Sequence, residues 1–484
     1  MTRVTRQAAA LLSCVLLAAA CSGGDGTATS AAQLLPTDVV DAGDPADGMV
    51  FPIADAPTPD GYTVAEYLFG GEAAAYRTDT EPGPDGRWEV SVRDTAPYRT
   101  RMIVRRPPAE RFSGVVLVEW LNVTAGTDGS IDWAYLSEEV AREGHAWVGV
   151  SVQAVGIDGA ALDLTGGRRD TRGLVVRNPD RYGTLTHPGD AYAFDIFTQA
   201  GALIRGDGAA SVMGALEPTH LIAVGESQSA GFLVSHVNAF ASLTPVFDGY
   251  FVHSRGGFAP NPAGGGLGDT IAGTLIRTDG NVPVFQYETE TDVSALGFSA
   301  ARQDDSPTLV TWEVAGAAHA DAFTLAADTG MEPDPSLGAL IGCPPTINDG
   351  PHHETAQAAL HHLVAWVLDG IPPPASPRIE LDGVTVVRDD LGVAVGGVRT
   401  PVVDVPLRVL SGDPGPGGAF CFLFGQTIEI PPDVLGDRYG SVEEYEALLR
   451  TAALSAVSSG WLLPEDAETM ITEETRRAEA LLGG

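Results

Sequence analysis

From Met102 onward, short runs of consecutive apolar residues alternate with stretches in which apolar residues recur every three or four positions. RMIVRRP and GVVLVEWLN read as strands, and the second is apolar almost without interruption, as expected of a strand buried on both faces. Between Trp133 and Glu143 the side chains of Trp133, Leu136, Val140 and Ala141 fall at helical spacing, and Gly144 supplies a stop. HAWVGVSVQ follows as a buried strand, FDIFTQAGALIR as a helix, HLIAV as a strand, and GFLVSHVNAF as a helix with Leu233, Val237 and Phe240 on one face. FDGYFVHS, VPVFQYE and TLVTWEVAG complete the strands. Alternation of this kind, with strands that lack a polar face, predicts an α/β fold: a mostly parallel central sheet with helices on both faces.

Two irregular stretches interrupt the pattern, 154–188 and 255–281. Loops of that length inside a compact domain usually carry function, and both are read as lid-like. The NPAGGGLGD run in the second has no phosphate-cradle signature and reads as a flexible loop. IPPPASPR after Gly370 is a stiff break. Beyond it, from about residue 371, a C-terminal extension mixes short strands, Gly-Pro loops and a helical region beginning near Ser441. Periodicity leaves open whether the extension is a separate domain or a wrap around the first.

The N-terminus follows other rules. Arg3 and Arg6 precede the apolar run AAALLSCVLLAAA, which is too short to span a bilayer stably and ends in small residues before Cys21. Residues 1–20 are read as a signal peptide. The AAAC ending resembles a bacterial lipobox, with Ala18 where leucine is commoner, and implies cleavage before Cys21 and lipidation of its thiol. Residues 21–47, rich in Gly, Ser, Asp and Ala, read as a flexible tether, and 48–484 as the folded domain. The expected location is outside the cytoplasm, anchored to the bacterial cell membrane through lipid alone or, if the start is a plain secretory signal, secreted.

A formal charge of −36 on 484 residues repels nucleic acid and anionic headgroups, so no nucleic-acid partner is expected. The chain contains no lysine, and every fixed side-chain cation is arginine. That excludes Schiff-base and pyridoxal chemistry, a Ser–Lys dyad, and any phosphate loop that needs its lysine. No cofactor is expected, and no metal. Of four cysteines, Cys14 leaves with the signal and Cys21 is the lipid anchor, so Cys343 and Cys421 are expected to pair.

The stretch LIAVGESQSAG (221–231) carries the chemistry. A serine on a sharp strand-to-helix turn is thrust up from the sheet, and the turn needs small residues two before and two after it. Ser227, flanked by Gly225 and Ser229, and Ser229, flanked by Ser227 and Gly231, both meet that demand. The apolar strand ends at Gly225, so Ser227 falls on the turn and Ser229 inside the following helix. Ser227 is therefore the expected nucleophile. A serine needs an imidazole to take its proton and an acid to orient the imidazole. His319, just beyond a strand in VAGAAHAD, suits the first role. Asp292 after VPVFQYE is the first choice for the acid and Glu290 the second, with Glu288 also in the stretch. His253 comes too early in chain order, and His352, His353, His361 and His362 read mainly as an exposed helix face. Oxyanion donors are expected from the Gln228 N–H and from Trp120, Leu121 or Asn122 in the loop after VVLVEW. His187, Tyr182 and Asn122 are candidate substrate-binding residues. Arg168, Arg169, Arg172, Arg177 and Arg181 could meet a carboxylated substrate, but pairing with Asp163, Asp170 and Asp180 is the plainer reading.

The segments VEWLNVTAG, WVGVSVQ, RYGTLTHPGDAYAFDIF, VGESQSAG, FQYETETDV, VAGAAHAD, CPPTINDGP and GGVRTPVVDVP together resemble the α/β-hydrolase superfamily, and within it a poorly characterised secreted family of α/β-hydrolase-domain proteins. The resemblance runs from about residue 100 to about 425. It implies the α/β-hydrolase fold, an extension that belongs to the hydrolase unit, and hydrolase chemistry in the chain order Ser227, Asp292, His319. Ser229 departs from the glycine most such proteins carry there. The expected activity is serine hydrolysis of a small-molecule carboxylic ester. An amidase or peptidase on the same fold, and a non-catalytic binding protein on the same scaffold, are the rivals.

Overall fold

A computed structural model describes residues 35–159, 172–418 and 420–482. The signal peptide, Cys21, Asp163, Arg168, Arg169 and Asp170 lie outside the described residues. Nine strands form one sheet: β1 (Asp38–Asp41), β2 (Thr63–Thr78), β3 (Val90–Arg106), β4 (Val115–Trp120), β5 (Ala146–Val150), β6 (His220–Glu226), β7 (Gly249–His253), β8 (Val284–Thr289) and β9 (Leu309–Val314), in the order β1-β2-β3-β5-β4-β6-β7-β8-β9. The pairings from β5 through β9 are parallel, and those at the β1 end are antiparallel. The expected mostly parallel sheet is therefore present. The end of β3 is the predicted RMIVRR strand, whereas β2 and the earlier part of β3, which precede the first periodic run, were not among the predicted strands.

The central strands are buried along their whole length, which is why their sequences show no polar face. One face packs Trp120 against Phe194, Phe197 and Phe232, contributed by helices α2 (Ala193–Arg205) and α3 (Gln228–Ala239). The other packs Trp133 of α1 (Ile131–Glu143) with Trp147, and Phe251, Phe285 and Trp312 near α5 (His352–Asp369), counted after the short α4 (Glu290–Ser294). Glu119 in β4 is fully buried, and its carboxyl accepts the N–H groups of Asp132 and Trp133, capping the start of α1.

The reading of 21–47 as a tether needs correcting over its last part. Residues 38–41 form β1, with Asp38 to Asp41 in register with Gly70 to Tyr67, because β2 would otherwise present an open edge. Arg99 forms an ion pair with Asp38 that helps hold the strand.

The C-terminal extension wraps the sheet edge. Val398 exchanges backbone hydrogen bonds with Glu313 and Ala315 at the end of β9. Its helices α6 (Val442–Ser458) and α7 (Pro464–Leu482) bury Tyr445, Leu449 and Met470, with Leu462 from the turn between them, against Val403, Leu407 and Val409. Arg408 joins them to the body through ion pairs with Glu474 and Asp349, at 2.8 and 2.9 Å. Cys343 and Cys421 form the expected disulfide.

Candidate active site

The parallel register brings Glu226, His253, Thr289 and Val314, the last residues of β6, β7, β8 and β9, to one edge of the sheet. Ligand sites form at such carboxyl edges. At Ser227 the chain turns into α3 with φ 60° and ψ −117°, left-handed backbone that a residue with a Cβ adopts only under constraint. The turn needs small neighbours: a Cβ on Gly225 would come within 3.1 Å of the Ser229 backbone. Ser227 N–H donates to the His253 carbonyl at 2.8 Å, tying the bend to β7. Ser229 is fully buried within α3, and its hydroxyl has no partner among the described residues. Of the two serines, Ser227 is the one that faces the cavity.

His319 stands in the loop after β9. Small residues let this loop thread between the sheet edge and the extension: Ala315, Ala317 and Ala318 are buried, and Gly316 at φ +74° has no room for a Cβ, which would meet Val403 at 2.9 Å. Ala320 N–H donates to the Leu423 carbonyl and the Asn348 amide donates to the Gly316 carbonyl. Asp292 lies in α4, directly after β8. Its Oδ2 accepts from the N–H and the hydroxyl of Thr289 at 2.6 and 2.7 Å, which fixes the carboxylate. His319 Nδ1 then lies 2.6 Å from Asp292 Oδ1, and His319 Nε2 lies 2.8 Å from Ser227 Oγ. Hydroxyl, imidazole and carboxylate form one hydrogen-bonded row. An imidazole held this way can take the hydroxyl proton while the carboxylate stabilises the resulting cation.

Glu290, the second choice for the acid, points elsewhere. Its carboxylate accepts the N–H groups of Gly316 and Gly412, each at 2.9 Å, and pairs with Arg388, so it fastens the extension to the His319 loop.

Sequence reasoning missed two features. Glu226, immediately before Ser227, turns its buried carboxyl into the same space: Oε1 is 3.2 Å from His319 Nε2, and Oε2 accepts from the Asn122 amide at 3.3 Å. Burial, reinforced by Asp132, Asp292 and Glu119, pushes this carboxyl well above the usual range. The signal was a carboxylate beside a turn serine. The second feature is a buried row, Asp132–His253–His352, that ends on the Ala318 carbonyl, with links of 2.8, 2.7 and 2.9 Å. A carbonyl only accepts, so neutral His352 carries its proton on Nδ1 and accepts through Nε2 from His253 Nε2–H. With His253 neutral as well, its Nδ1 is then an acceptor and the proton of that link sits on Asp132. Burial acts in the matching directions, raising Asp132 and lowering His253 to about 3. His352 is thus core, not the exposed helix face its position suggested.

The cavity onto which Ser227 and His319 open has a volume of about 190 Å³. Asn122 lines it, as expected of a substrate-binding candidate; His187 and Tyr182 do not. Tyr182 is fully buried and gives its hydroxyl to Glu66, beside Arg101. His187 lies against the Val152 carbonyl and the Gly189 N–H. Arg181 pairs with Glu66 at 2.6 Å, and Arg177 donates to the Thr127 hydroxyl, so these two arginines serve the fold. The oxyanion expectation also changes. Trp120 belongs to the β4 ladder opposite Val150, and its indole is core. The N–H groups of Leu121 and Asn122 are spent on the carbonyls of Val150 and Gly129. The Gln228 N–H, first in α3, makes no hydrogen bond among the described residues. Far from the cavity, Glu139, Glu143 and His361 bring donor atoms within 4.8 Å of one another, but Arg142 already pairs with Glu139.

A family model described as alpha/beta hydrolase domain matches residues 34–472. Among curated proteins none matches. Solved structures with partial likeness include acetyl xylan esterase 1 from a Thermoanaerobacterium species, at 12% identity and TM-score 0.24 over 46% of this chain and 53% of that one, so that this chain spans about half its length. The esterase Est22 aligns at 13% identity and TM-score 0.32 over 59% of this chain and 81% of that one. An acetyl xylan esterase from a Paenibacillus species aligns at 12% identity and TM-score 0.21 over 40% of this chain and 48% of that one. Overlaps this slight say nothing about a substrate.

Proposed function

Because the chain belongs to the alpha/beta hydrolase domain family, we propose that it is a serine hydrolase that cleaves carboxylic esters through an acyl-enzyme. The observation that carries this reading is the hydrogen-bonded row of Ser227, His319 and Asp292 opening on a cavity. Ser227 Oγ attacks the ester carbonyl carbon as its proton passes to His319 Nε2. The tetrahedral intermediate collapses, the C–O bond breaks, and the leaving alkoxide takes the proton from His319. Water, deprotonated by the same imidazole, then releases the acid. Gln228 N–H at the start of α3 is one oxyanion donor, favoured by the helix dipole. With Leu121 and Asn122 committed elsewhere, the N–H of Val123 or Ala125 in the same loop is the second.

In this reading the enzyme is exported and held at the membrane by a lipid on Cys21. The basic, apolar and AAAC start supports that, as does the Cys343–Cys421 bond, since disulfides persist in oxidising compartments. A fluorophosphonate probe tests the chemistry: labelling of the wild type that disappears in Ser227→Ala supports it. A wild type that takes no label, alongside no turnover of any ester, refutes it in favour of a binding protein.

A further inference from the structure

The cavity wall has a composition that restricts what can enter. Ile53, Ile131, Leu325, Ile341, Phe420 and Leu423 line it, and Ala54, Ala125 and Ala320 add methyl groups. Its ionisable side chains other than His319 are both acids, Glu226 and Asp328, and among the described residues no arginine lines it. An anionic group placed there would lose its water and meet carboxyl groups, with no guanidinium in the lining among the described residues to offset the loss. Size is bounded as well. A cavity of 150 Å³ holds a benzene ring, so about 190 Å³ holds a group of about six to eight non-hydrogen atoms.

One wall is pinned and does not yield easily. Cys421 lines the cavity and is bonded to Cys343, and Leu423 accepts the Ala320 N–H one residue past His319. Leu325, Leu337, Ile347 and Phe424 form one small core with the two cysteines. A longer chain would have to displace this stapled segment or turn back through the mouth.

On the reading of the protein as an esterase, we infer that its substrates are uncharged esters whose cavity-side group is compact and apolar, a short acyl or alcohol chain or a single aromatic ring, with the disulfide-stapled segment 420–424 setting the upper size. The segment acts as a specificity wall contributed by the C-terminal extension.

Two series of esters test this with the full-length protein: p-nitrophenyl esters from acetate through butyrate, hexanoate and benzoate to decanoate, and acetates of alcohols of the same sizes. One series should show kcat/KM rising to four to six carbons, accepting the aromatic member, and falling by about tenfold or more at ten carbons. In that series an anionic analogue of the butyl-sized member, such as the hemisuccinate, should be slower by about tenfold or more. Leu423→Ala, or Phe420→Ala should the first not fold, should raise the ten-carbon to four-carbon ratio by about tenfold. Equal turnover of short and long members in both series overturns the size limit, and equal turnover of the anionic analogue overturns the charge selection. In either case Ser227 labelling and hydrolysis persist, and the esterase reading stands. Loss of both labelling and all turnover would instead remove the reading on which the inference rests.

Discussion

Ser227→Ala and Ser227→Gly both remove the hydroxyl, yet they should differ in stability, because Ser227 is held at φ 60° and ψ −117°. Alanine keeps the Cβ that makes this backbone unfavourable; glycine removes it. Residues held in such regions store about 1–3 kcal/mol. Glycine also loosens the unfolded chain, which takes back about 0.4–1 kcal/mol. The lost hydrogen bond to His319 is common to both variants and cancels. The glycine variant should therefore be more stable than the alanine variant by about 1–2 kcal/mol. Over the 435 described residues, an unfolding entropy of about 2.1 cal/mol/K per residue makes this about 1–2 °C in Tm. Calorimetric scans of the two variants side by side, at one scan rate and pH, resolve such a difference, and neither variant should turn over an ester. A glycine variant that melts at or below the alanine variant would refute the argument: the bend would then not be a strained elbow, and the exposure of the Ser227 hydroxyl would need another cause.

Asp292→Asn should lower kcat by about 10⁴ with little change in Tm, whereas Glu290→Gln should destabilise by about 3 kcal/mol, because it weakens the ties to Gly316, Gly412 and Arg388, and leave the activity of the folded fraction intact. The reverse pattern in kinetics and melting would transfer the acid role to Glu290. Reduction of Cys343–Cys421, which are 78 residues apart, should cost about 4 kcal/mol in the chain-entropy model, read as a Tm lowered by several degrees on adding reductant; an unchanged Tm contradicts it. Burial holds His236 at about 3, between the hydroxyls of Thr198 and Tyr250 and the rings of Phe197, Phe240 and Phe247. The unfolded chain binds that proton near pH 6.5, so the stability this group contributes is complete above about pH 6.5 and declines as pH falls toward 3. Melts of the wild type and of His236→Gln across this range should show a shallower acid loss in the variant, and parallel curves would refute the assignment.

Several elements were legible because burial on both faces writes itself into consecutive residues. VVLVEW, AWVGV and VFQYET had to be central strands, and the tight turn after LIAV singled out Ser227 over Ser229 by position alone. Asp292 and His319 were identifiable as polar residues directly following strands, and the folded chain brings their side chains into one row. The β2–β3 hairpin was harder to see, since its outer part alternates with exposed residues and carries Pro97 within a strand.

Chain order along an α/β pattern, then, was a property of the sequence itself: it determined the class of fold, the serine on the bend, and that candidate acids and then an imidazole come after it. What only the tertiary structure decided was where polar groups spend their hydrogen bonds. Leu121 lost its N–H to Val150, Tyr182 gave its hydroxyl to Glu66, and Glu290 went to the extension while Asp292 met His319. Glu226 came to face the imidazole of His319, and segment 420–424 came to wall the cavity, each through contacts with residues far away in the chain. Periodicity reports which side of an element is buried; the partner that a buried donor or acceptor finds there depends on distant residues, and only the folded chain brings those together.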